Sequence, residues 1–334
     1  MRSPLSTVAH LSMHAASTIP ASADSALAAK GKSFHWARHW LGPLHAARAT
    51  RLYALCRHLD DLADEASSHE SASAALALAA RDIARGESSD AIIADGLKLM
   101  QECGINKMII LQLIEGLKSD LGVVALADEA SLLRYCYHVA GTVGLMMCRV
   151  LDVKDPRALP HAVDLGVAMQ LTNICRDIAA DAAMGRRYIP ASMVGGLAPA
   201  VLIEPLSSLH PALKQCVATL LATADVYYRS GEQGLSYLPM RARAGILVAA
   251  RVYRAIGGAL RAQDYAYWAS RAMINKLNKA RITVTVLLTA PFQRTLWRHD
   301  GKHDARLHHP FLALMAAATQ AIARQDHARQ DHEP

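Results

Sequence analysis

Proline is missing from a long central part of this sequence. The 112 residues between Pro43 and Pro156 contain none. Proline breaks the interior of a helix, because it lacks an N–H donor and its ring clashes with the preceding turn. Apolar residues recur in this stretch at helical spacing, for example at Leu52, Leu55 and Leu59. The sequence therefore predicts a fold built from long helices.

Helical patterns continue through the rest of the chain, and strand signals are scarce. Helices are predicted near residues 25–40, 44–65, 72–85, 90–102, 105–121, 129–151, 156–183, 211–233, 240–263, 264–274, 279–290 and 310–325. Residues 284–288 are the one short run that could also be a strand. We expect an all-α protein with one large domain at residues 25–297. Residues 1–24 are expected to be a flexible extension, and residues 298–334 a histidine-rich, partly helical tail.

Composition narrows the class of protein. Apolar residues make up 52% of the chain and charged residues 19%, which excludes a disordered chain. The six cysteines form no CxxC pair, so neither a zinc framework nor a disulfide scaffold is expected. No run is long and apolar enough to predict a membrane span. The net charge of +7 indicates anionic partners such as phosphates or a membrane surface.

Two predicted helices carry acidic strips near their C-terminal ends. Side chains four residues apart lie on the same side of a helix, so Asp60 and Asp64 share a face. The same spacing places Asn173, Asp177 and Asp181 on one face of the second helix. Each helix thus presents a row of oxygen ligands.

These strips are electrostatically unfavourable unless a cation is present. Like charges four residues apart repel, and the helix C-terminus carries partial negative charge. A single strip is most often a solvated face. The second strip lies in the largely apolar segment 163–178, where an unpaired charge would be costly, and this favours a Mg²⁺ site around a diphosphate. Arg57 and Arg176 are either diphosphate ligands or ion-pair partners within their own helices.

Residues 135–147 form an apolar tract in which Gly141 and Gly144 interrupt a helical pattern. Glycine costs about 1 kcal/mol in a helix relative to alanine. Its presence therefore indicates close packing of a neighbouring helix or an apolar ligand lying along a groove. These two alternatives remain open from the sequence.

Four segments together resemble the squalene and phytoene synthase family. They are residues 53–64 (YALCRHLDDLAD), 135–144 (YCYHVAGTVG), 170–181 (QLTNICRDIAAD) and 185–190 (GRRYIP). The resemblance covers roughly three quarters of the chain and is greatest to the bacterial phytoene synthases. Residues 271–279 keep basic ends but depart from the family pattern in the middle.

The resemblance implies a class I isoprenoid-synthase helical bundle around one central cavity. It also implies a Mg²⁺-dependent prenyltransferase, with Mn²⁺ as a substitute metal and no NADPH requirement. Two geranylgeranyl diphosphates would condense head to head (1'-1) through a cyclopropylcarbinyl (prephytoene) diphosphate to 15-cis-phytoene, the first step of carotenoid biosynthesis. An enzyme that makes squalene or dehydrosqualene from farnesyl diphosphate is the alternative, and a noncatalytic assembly protein is a lesser one.

The family's functional residues carry over position by position. Metal ligands would be Asp60, Asp61, Asp64, Asn173, Asp177 and Asp181. Substrate-binding residues would be Lys32, Ser33, Phe34, Arg57, Gly141, Gln170, Arg176 and Arg271. Tyrosines at the reacting ends of the substrates would be Tyr53, Tyr135, Tyr188 and Tyr253.

The chemistry of the implied product suggests a place in the cell. A C40 hydrocarbon is insoluble in water, and the protein is basic, so we expect a cytoplasmic enzyme that associates peripherally with the membrane surface. A downstream desaturase is a candidate partner, and no nucleic-acid partner is expected.

Overall fold

The computed structural model describes residues 40–299 and 302–330. The described part of the chain is helical, and it contains no strand beyond one isolated parallel bridge between Ala125 and Arg187. The prediction of an all-α fold is confirmed. The extension at residues 1–24 and the predicted helix at residues 25–40 lie outside the described residues, except for Trp40, which lies in a turn.

The described residues include thirteen α-helices. They are α1 (Pro43–Asp64), α2 (His69–Arg85), α3 (Ala91–Cys103), α4 (Lys107–Lys118), α5 (Glu129–Cys136), α6 (Thr142–Val150), α7 (Ala158–Ala183), α8 (Ala191–Val194), α9 (Pro199–Ile203), α10 (His210–Gln233), α11 (Met240–Ala262), α12 (Lys276–Thr289) and α13 (Leu312–Gln330). The ambiguous run at residues 284–288 is helical, within α12.

Local capping explains many of these boundaries. The side chains of Asp90 and Asn106 accept hydrogen bonds from the first backbone N–H groups of α3 and α4. Gly86 and Gly104 adopt left-handed conformations where α2 and α3 end, which is the usual role of glycine after a helix. The turn residues that the sequence offers therefore fix where these helices begin and end.

Helix α7 lies at the centre of the fold. It packs against α6, α9, α10 and α11, and its buried residues fall on more than one side of the helix. The packing with α6 is unusually close, because a Cβ added to Gly144 would lie 2.2 Å from the carbonyl oxygen of Ala162. A Cβ added to Gly166 would lie 2.3 Å from the carbonyl oxygen of Ala140. Close helix packing is thus the structural reason for Gly144.

The segment that was predicted as one helix at residues 129–151 is divided. A π-helical turn, Tyr137–Gly141, joins α5 to α6. Such turns insert one extra residue into a helix and rotate the side chains that follow. Its residues Val139 and Ala140 line the central cavity described below.

The helix predicted at residues 264–274 is wrong. The chain forms turns there and runs without helix to α12. Asp264 and Tyr265 have φ angles of 51° and 59°, in the left-handed region that a right-handed helix cannot contain. The extended stretch that follows carries Arg271 to the acidic strip of α7.

The C-terminal segment packs on the body of the protein. Asn106 Nδ2 donates to the carbonyl of Ala321, and Gln112 Nε2 donates to that of Leu314, at 3.1 and 3.0 Å. Phe311 is buried and stacks on Tyr137, with 5.0 Å between ring centroids. Among residues 40–299 and 302–330, no helix is both long enough and apolar enough to cross a bilayer.

Candidate active site

The acidic strip of α1 is held in ion pairs. Arg57 Nη1 lies 2.6 Å from Asp60 Oδ2, and the same guanidinium donates to Asp61. Asp64 accepts from Arg186 Nη2 at 2.9 Å. In this structure Arg57 is thus an ion-pair partner within its own helix, which is one of the two roles that the sequence allowed.

The acidic strip of α7 is arranged in the same way. Asp177 pairs with Arg176, its neighbour in the chain, whose Nε donates at 2.9 Å. Arg271 Nε donates to the same carboxylate at 2.8 Å from the loop between α11 and α12. Asp177 is only 16% exposed, and the two guanidinium groups together hold its pKa below its usual value against the opposing effect of burial.

Arg186 connects the two strips. It follows α7 in the chain and donates to Asp64 at the end of α1. Its positive charge also opposes the rise in pKa that burial causes at Asp60 and Asp181. Burial and the nearby charge of Asp177 nevertheless raise the pKa of Asp181 to about 7. Arg186 therefore acts on carboxylates of both strips, and its positive charge favours their ionised forms against the effect of burial.

A largely apolar cavity of about 290 Å³ adjoins the strips. Its polar residues include Tyr53, Gln170, Asn173 and Tyr253. The charge of Arg57 acts on Tyr53 and that of Arg176 on Tyr253, so these tyrosines lie where the cavity meets the strips. Its apolar walls come mainly from α1, α6, α7 and α11, with the π-helical turn. Burial raises the pKa of Cys56, a wall residue, to about 12, so this thiol is neutral.

Two buried polar atoms at the site fit a metal and an anion. Asn173 Oδ1 is buried and has no hydrogen-bond partner among the described residues, and the same holds for Arg57 Nε. An unpaired buried polar atom is costly, so its presence in a site indicates a ligand. An amide oxygen beside carboxylates suits Mg²⁺, and a guanidinium N–H suits a diphosphate oxygen. The donor set therefore fits the metal and substrate class implied by the sequence.

Tyr135 and Tyr188 form a cluster with Asp120 close to the strips, since Asp120 interacts electrostatically with Asp60, Asp181 and Arg186, and the sequence did not reveal this pairing. Their rings stack with centroids 4.8 Å apart, and both hydroxyls donate to Asp120 at 2.8 Å. Burial raises the pKa of Asp120 to about 6, although both hydrogen bonds oppose the rise. Neither tyrosine is among the residues that line the cavity. Asp120 follows α4 in a turn with no recognisable motif, so only the tertiary structure identifies it.

The remaining predicted residues are placed as follows. Lys32, Ser33 and Phe34 lie outside the described residues. Gly141 is buried against Val163, 3.2 Å from where its Cβ would lie, and is not among the cavity-lining residues. Gly144, in contrast, lines the cavity.

The family of the protein follows from a comparison with known families. A family model described as "Squalene/phytoene synthase" matches residues 27–283, which include both acidic strips and the cavity. The chain belongs to the squalene/phytoene synthase family. It is accordingly a prenyltransferase-type enzyme of isoprenoid and carotenoid biosynthesis, as the sequence predicted.

Several curated relatives are phytoene synthases. The chain is 35% identical to a phytoene synthase of Pseudescherichia vulneris, over 81% of this chain and 90% of that protein. It is 34% identical to a 15-cis-phytoene synthase of Enterobacter agglomerans, over 74% of this chain and 90% of that protein. The sequence-based resemblance to this family is confirmed.

Solved structures show the same fold. A dehydrosqualene synthase in complex with ligand superposes with a TM-score of 0.71 at 24% identity, over 82% of this chain and 96% of that one. A squalene synthase from Alicyclobacillus acidocaldarius superposes with a TM-score of 0.61 at 22% identity, over 70% and 95% of the two chains. The predicted isoprenoid-synthase helical fold is therefore confirmed.

Proposed function

We propose that the protein joins two geranylgeranyl diphosphates head to head to give 15-cis-phytoene, with Mg²⁺ bound at the acidic strips. The observation that carries the proposal is an apolar cavity lined by residues of both helices that bear the acidic strips, including Asn173 of the second strip. A prenyl diphosphate has the same division, since its chain is apolar and its head is anionic. The curated phytoene synthases that resemble this chain support the choice of product.

The metal would be held by oxygen atoms of both strips. Asp60, Asp61 and Asp64 supply carboxylates from α1, and Asn173, Asp177 and Asp181 supply the second set from α7. Bound Mg²⁺ supplies the positive charge that stabilises a departing diphosphate. The buried, unpaired Asn173 Oδ1 supports this assignment, because it lies at the boundary between the strip and the cavity.

The protein's own residues would bind the diphosphate of the substrate and enclose its prenyl chain. Arg57, Arg176 and Arg271 place guanidinium groups beside the carboxylates, where they can bind diphosphate oxygens. The apolar walls exclude the water that would otherwise quench an allylic cation. Tyr53 and Tyr253 present protonated hydroxyls at the boundary, because burial raises both pKa values.

In the proposed reaction the first substrate loses diphosphate to give an allylic cation. The double bond of the second substrate attacks this cation, and loss of a proton closes the cyclopropane ring of prephytoene diphosphate. A second loss of diphosphate, rearrangement and loss of a proton give phytoene. Over the whole reaction two diphosphates and two protons are released for each phytoene that is formed, so no reductant is consumed. Squalene formation, in contrast, requires a hydride donor.

The test is a product analysis with two substrates. Purified protein is incubated with C15 or C20 diphosphate, with Mg²⁺ or with EDTA, and the hydrocarbon is identified by mass. We expect a C40 hydrocarbon with a central conjugated triene from the C20 substrate, and only when Mg²⁺ is present. A C30 product alone would assign the chain to the squalene or dehydrosqualene synthases, and no release of diphosphate from either substrate would indicate a noncatalytic relative.

We also propose that the enzyme binds peripherally to an anionic membrane surface to deliver its product. The supporting feature is an exposed apolar row on and beside α12, which we call the α12 row: Met273, Leu277, Val284, Leu288 and Phe292 are 54–86% exposed. Lys276, Arg281 and Arg298 are exposed nearby. Apolar side chains flanked by cations are typical of surfaces that bind anionic lipids.

A further inference from the structure

A second cluster of ligand-forming side chains lies away from the acidic strips. It consists of Asp164 of α7 with His303 and His308 of the segment that leads to α13. Nε2 of His308 lies 2.8 Å from Asp164 Oδ1, and Nε2 of His303 lies 2.9 Å from Oδ2. One ligand atom from each residue lies within 4.8 Å of the other two. Two imidazoles thus converge on one carboxylate.

Burial makes this convergence significant. Asp164 is completely buried, and His308 is 4% exposed. An isolated charge in such a place is strongly unfavourable unless a cation or several donors compensate it. Ser230 Oγ of α10 donates to Asp164 Oδ2 at 2.5 Å, which helps to fix the orientation of the carboxylate. Metal-binding carboxylates are commonly held by an outer hydrogen bond of this kind.

The donor atoms are of a different kind from those of the acidic strips. Two imidazole nitrogens and one carboxylate oxygen are a typical ligand set for Zn²⁺ and related transition metals, whereas Mg²⁺ prefers oxygen alone. Ligand atoms of tetrahedral zinc are about 3.4 Å apart, from bond lengths of about 2.1 Å. The two nitrogens lie 2.8 and 2.9 Å from the two oxygens of Asp164, and the three ligand atoms lie within 4.8 Å of one another, so modest shifts of these side chains would admit the ion.

We propose that Asp164, His303 and His308 supply three of the four ligands of a transition-metal site, best suited to Zn²⁺, that fastens the C-terminal segment to the central helix. The metal would replace the imidazole protons that now point to the carboxylate. His161 of α7, whose ring lies 5.3 Å from that of His303, flanks the site and also lines the cavity. The site therefore lies behind the cavity wall and is separate from the proposed magnesium site.

The site explains why the tail is placed where it is. His303 and His308 precede Phe311, which stacks on Tyr137 next to the cavity wall. A metal bound at Asp164 would hold both histidines, and through them the start of α13, against α7. Binding of a metal only to the folded state stabilises that state by mass action.

The experiment measures zinc directly on the full-length protein. Metal-free protein receives one equivalent of Zn²⁺ in the presence of excess Mg²⁺, which occupies the oxygen sites, and the bound zinc is quantified against a chelator. We expect one tightly bound Zn²⁺ and a rise in Tm. X-ray absorption of this zinc is expected to show two imidazole nitrogens in the first coordination shell.

Conservative variants separate ligation from hydrogen bonding. His303→Gln and His308→Gln retain an N–H that can donate to Asp164 but lose the imidazole ligand. Each is expected to lower zinc affinity at least about 100-fold and to abolish the zinc-dependent rise in Tm. His309→Gln is the matched control, since His309 is exposed in the same segment, and it is expected to bind zinc as the unaltered protein does.

Three results would overturn the proposal. They are the absence of tight zinc binding by the unaltered protein, an all-oxygen coordination shell, and unchanged zinc affinity in folded His303→Gln and His308→Gln. If both variants fail to fold, the absorption spectrum of the unaltered protein alone decides between imidazole and oxygen ligands.

Discussion

Individual carboxylates at the candidate active site already have cationic partners. Asp60 is paired with Arg57, and Asp177 with Arg176 and Arg271. Each carboxylate therefore has two possible roles, in balancing the arginines and in binding the proposed metal. Because both strips are half-buried at the surface of the bundle, loss of one carboxylate affects charge more than packing.

We expect Asp60→Ala and Asp177→Ala to abolish turnover while the helical fold persists. Each change removes a proposed metal ligand and one carboxylate partner of a guanidinium group in the site. Release of diphosphate measures turnover, and far-ultraviolet circular dichroism measures the fold. Glu115→Ala is the control, since Glu115 is an exposed helical carboxylate in an ordinary ion pair with Lys118. Turnover at the unaltered rate in either aspartate variant would refute the metal role.

The Asp120 carboxyl predicts a pH dependence of stability. Its pKa is raised to about 6 in the folded protein from 3.8, so the folded state holds the proton more tightly than the unfolded state. Its contribution is therefore fully present below pH 3.8 and is lost as pH rises towards 6. The free energy of unfolding, relative to Asp120→Asn, should fall by about 2 kcal/mol between pH 4.5 and 7.

Urea denaturation of both proteins at the two pH values measures this difference, because the asparagine side chain does not titrate. A difference that stays constant with pH, or that grows as pH rises, would show that Asp120 is ionised at low pH in the fold.

At the scale of helices, close contact between α6 and α7 shapes the cavity wall. We expect Gly144→Ala to lower the free energy of unfolding by about 2 kcal/mol or more, because the added Cβ meets backbone that cannot move aside. Gly258→Ala is the matched control, since its added Cβ would meet no atom within 4 Å apart from its own chain neighbours and the adjacent backbone of its own helix, and it should stabilise α11 by up to about 1 kcal/mol. Urea denaturation compares the two, and equal effects would contradict the close-packing argument.

Helix positions could largely be predicted from the sequence, because apolar spacing and caps act locally. The boundaries of α1, α7, α10 and α11 lie within two residues of those expected. The prediction of a helix at residues 264–274 failed because the usual turn residues are missing. This stretch contains neither glycine nor proline, and yet the chain turns there through two residues in left-handed conformations. The two short helices α8 and α9 were also not predicted, because they are too brief to show a period.

The candidate site was only partly accessible from the sequence for a different reason. Spacing along one helix reveals a strip such as that of α7. It does not reveal which residues approach from elsewhere in the chain, such as Arg186 at Asp64 or Asp120 between two tyrosines. The same limit applies to Asp164 with His303 and His308, which are separated by about 140 residues.

For the molecule as a whole, the α12 row predicts membrane binding. We expect the unaltered protein to float with vesicles that contain anionic lipid and not with neutral vesicles, because both apolar and basic side chains contribute. Leu288→Ser with Phe292→Ser should reduce flotation while leaving turnover of short soluble analogues unchanged. The control is Leu78→Ser, since Leu78 is 49% exposed on α2, far from the row in sequence. Flotation unaffected by the double change would exclude this surface.

The glycine contacts that join the central helices have a consequence for how the enzyme can diverge. Backbones that already touch cannot move closer, and moving them apart would open voids throughout the core. The separation of these helices is thus nearly invariant, whereas the volume of the cavity depends on the side chains that line it. Lineages could therefore change the chain length of their product through one or two substitutions, without redesigning the architecture that holds the reacting ends.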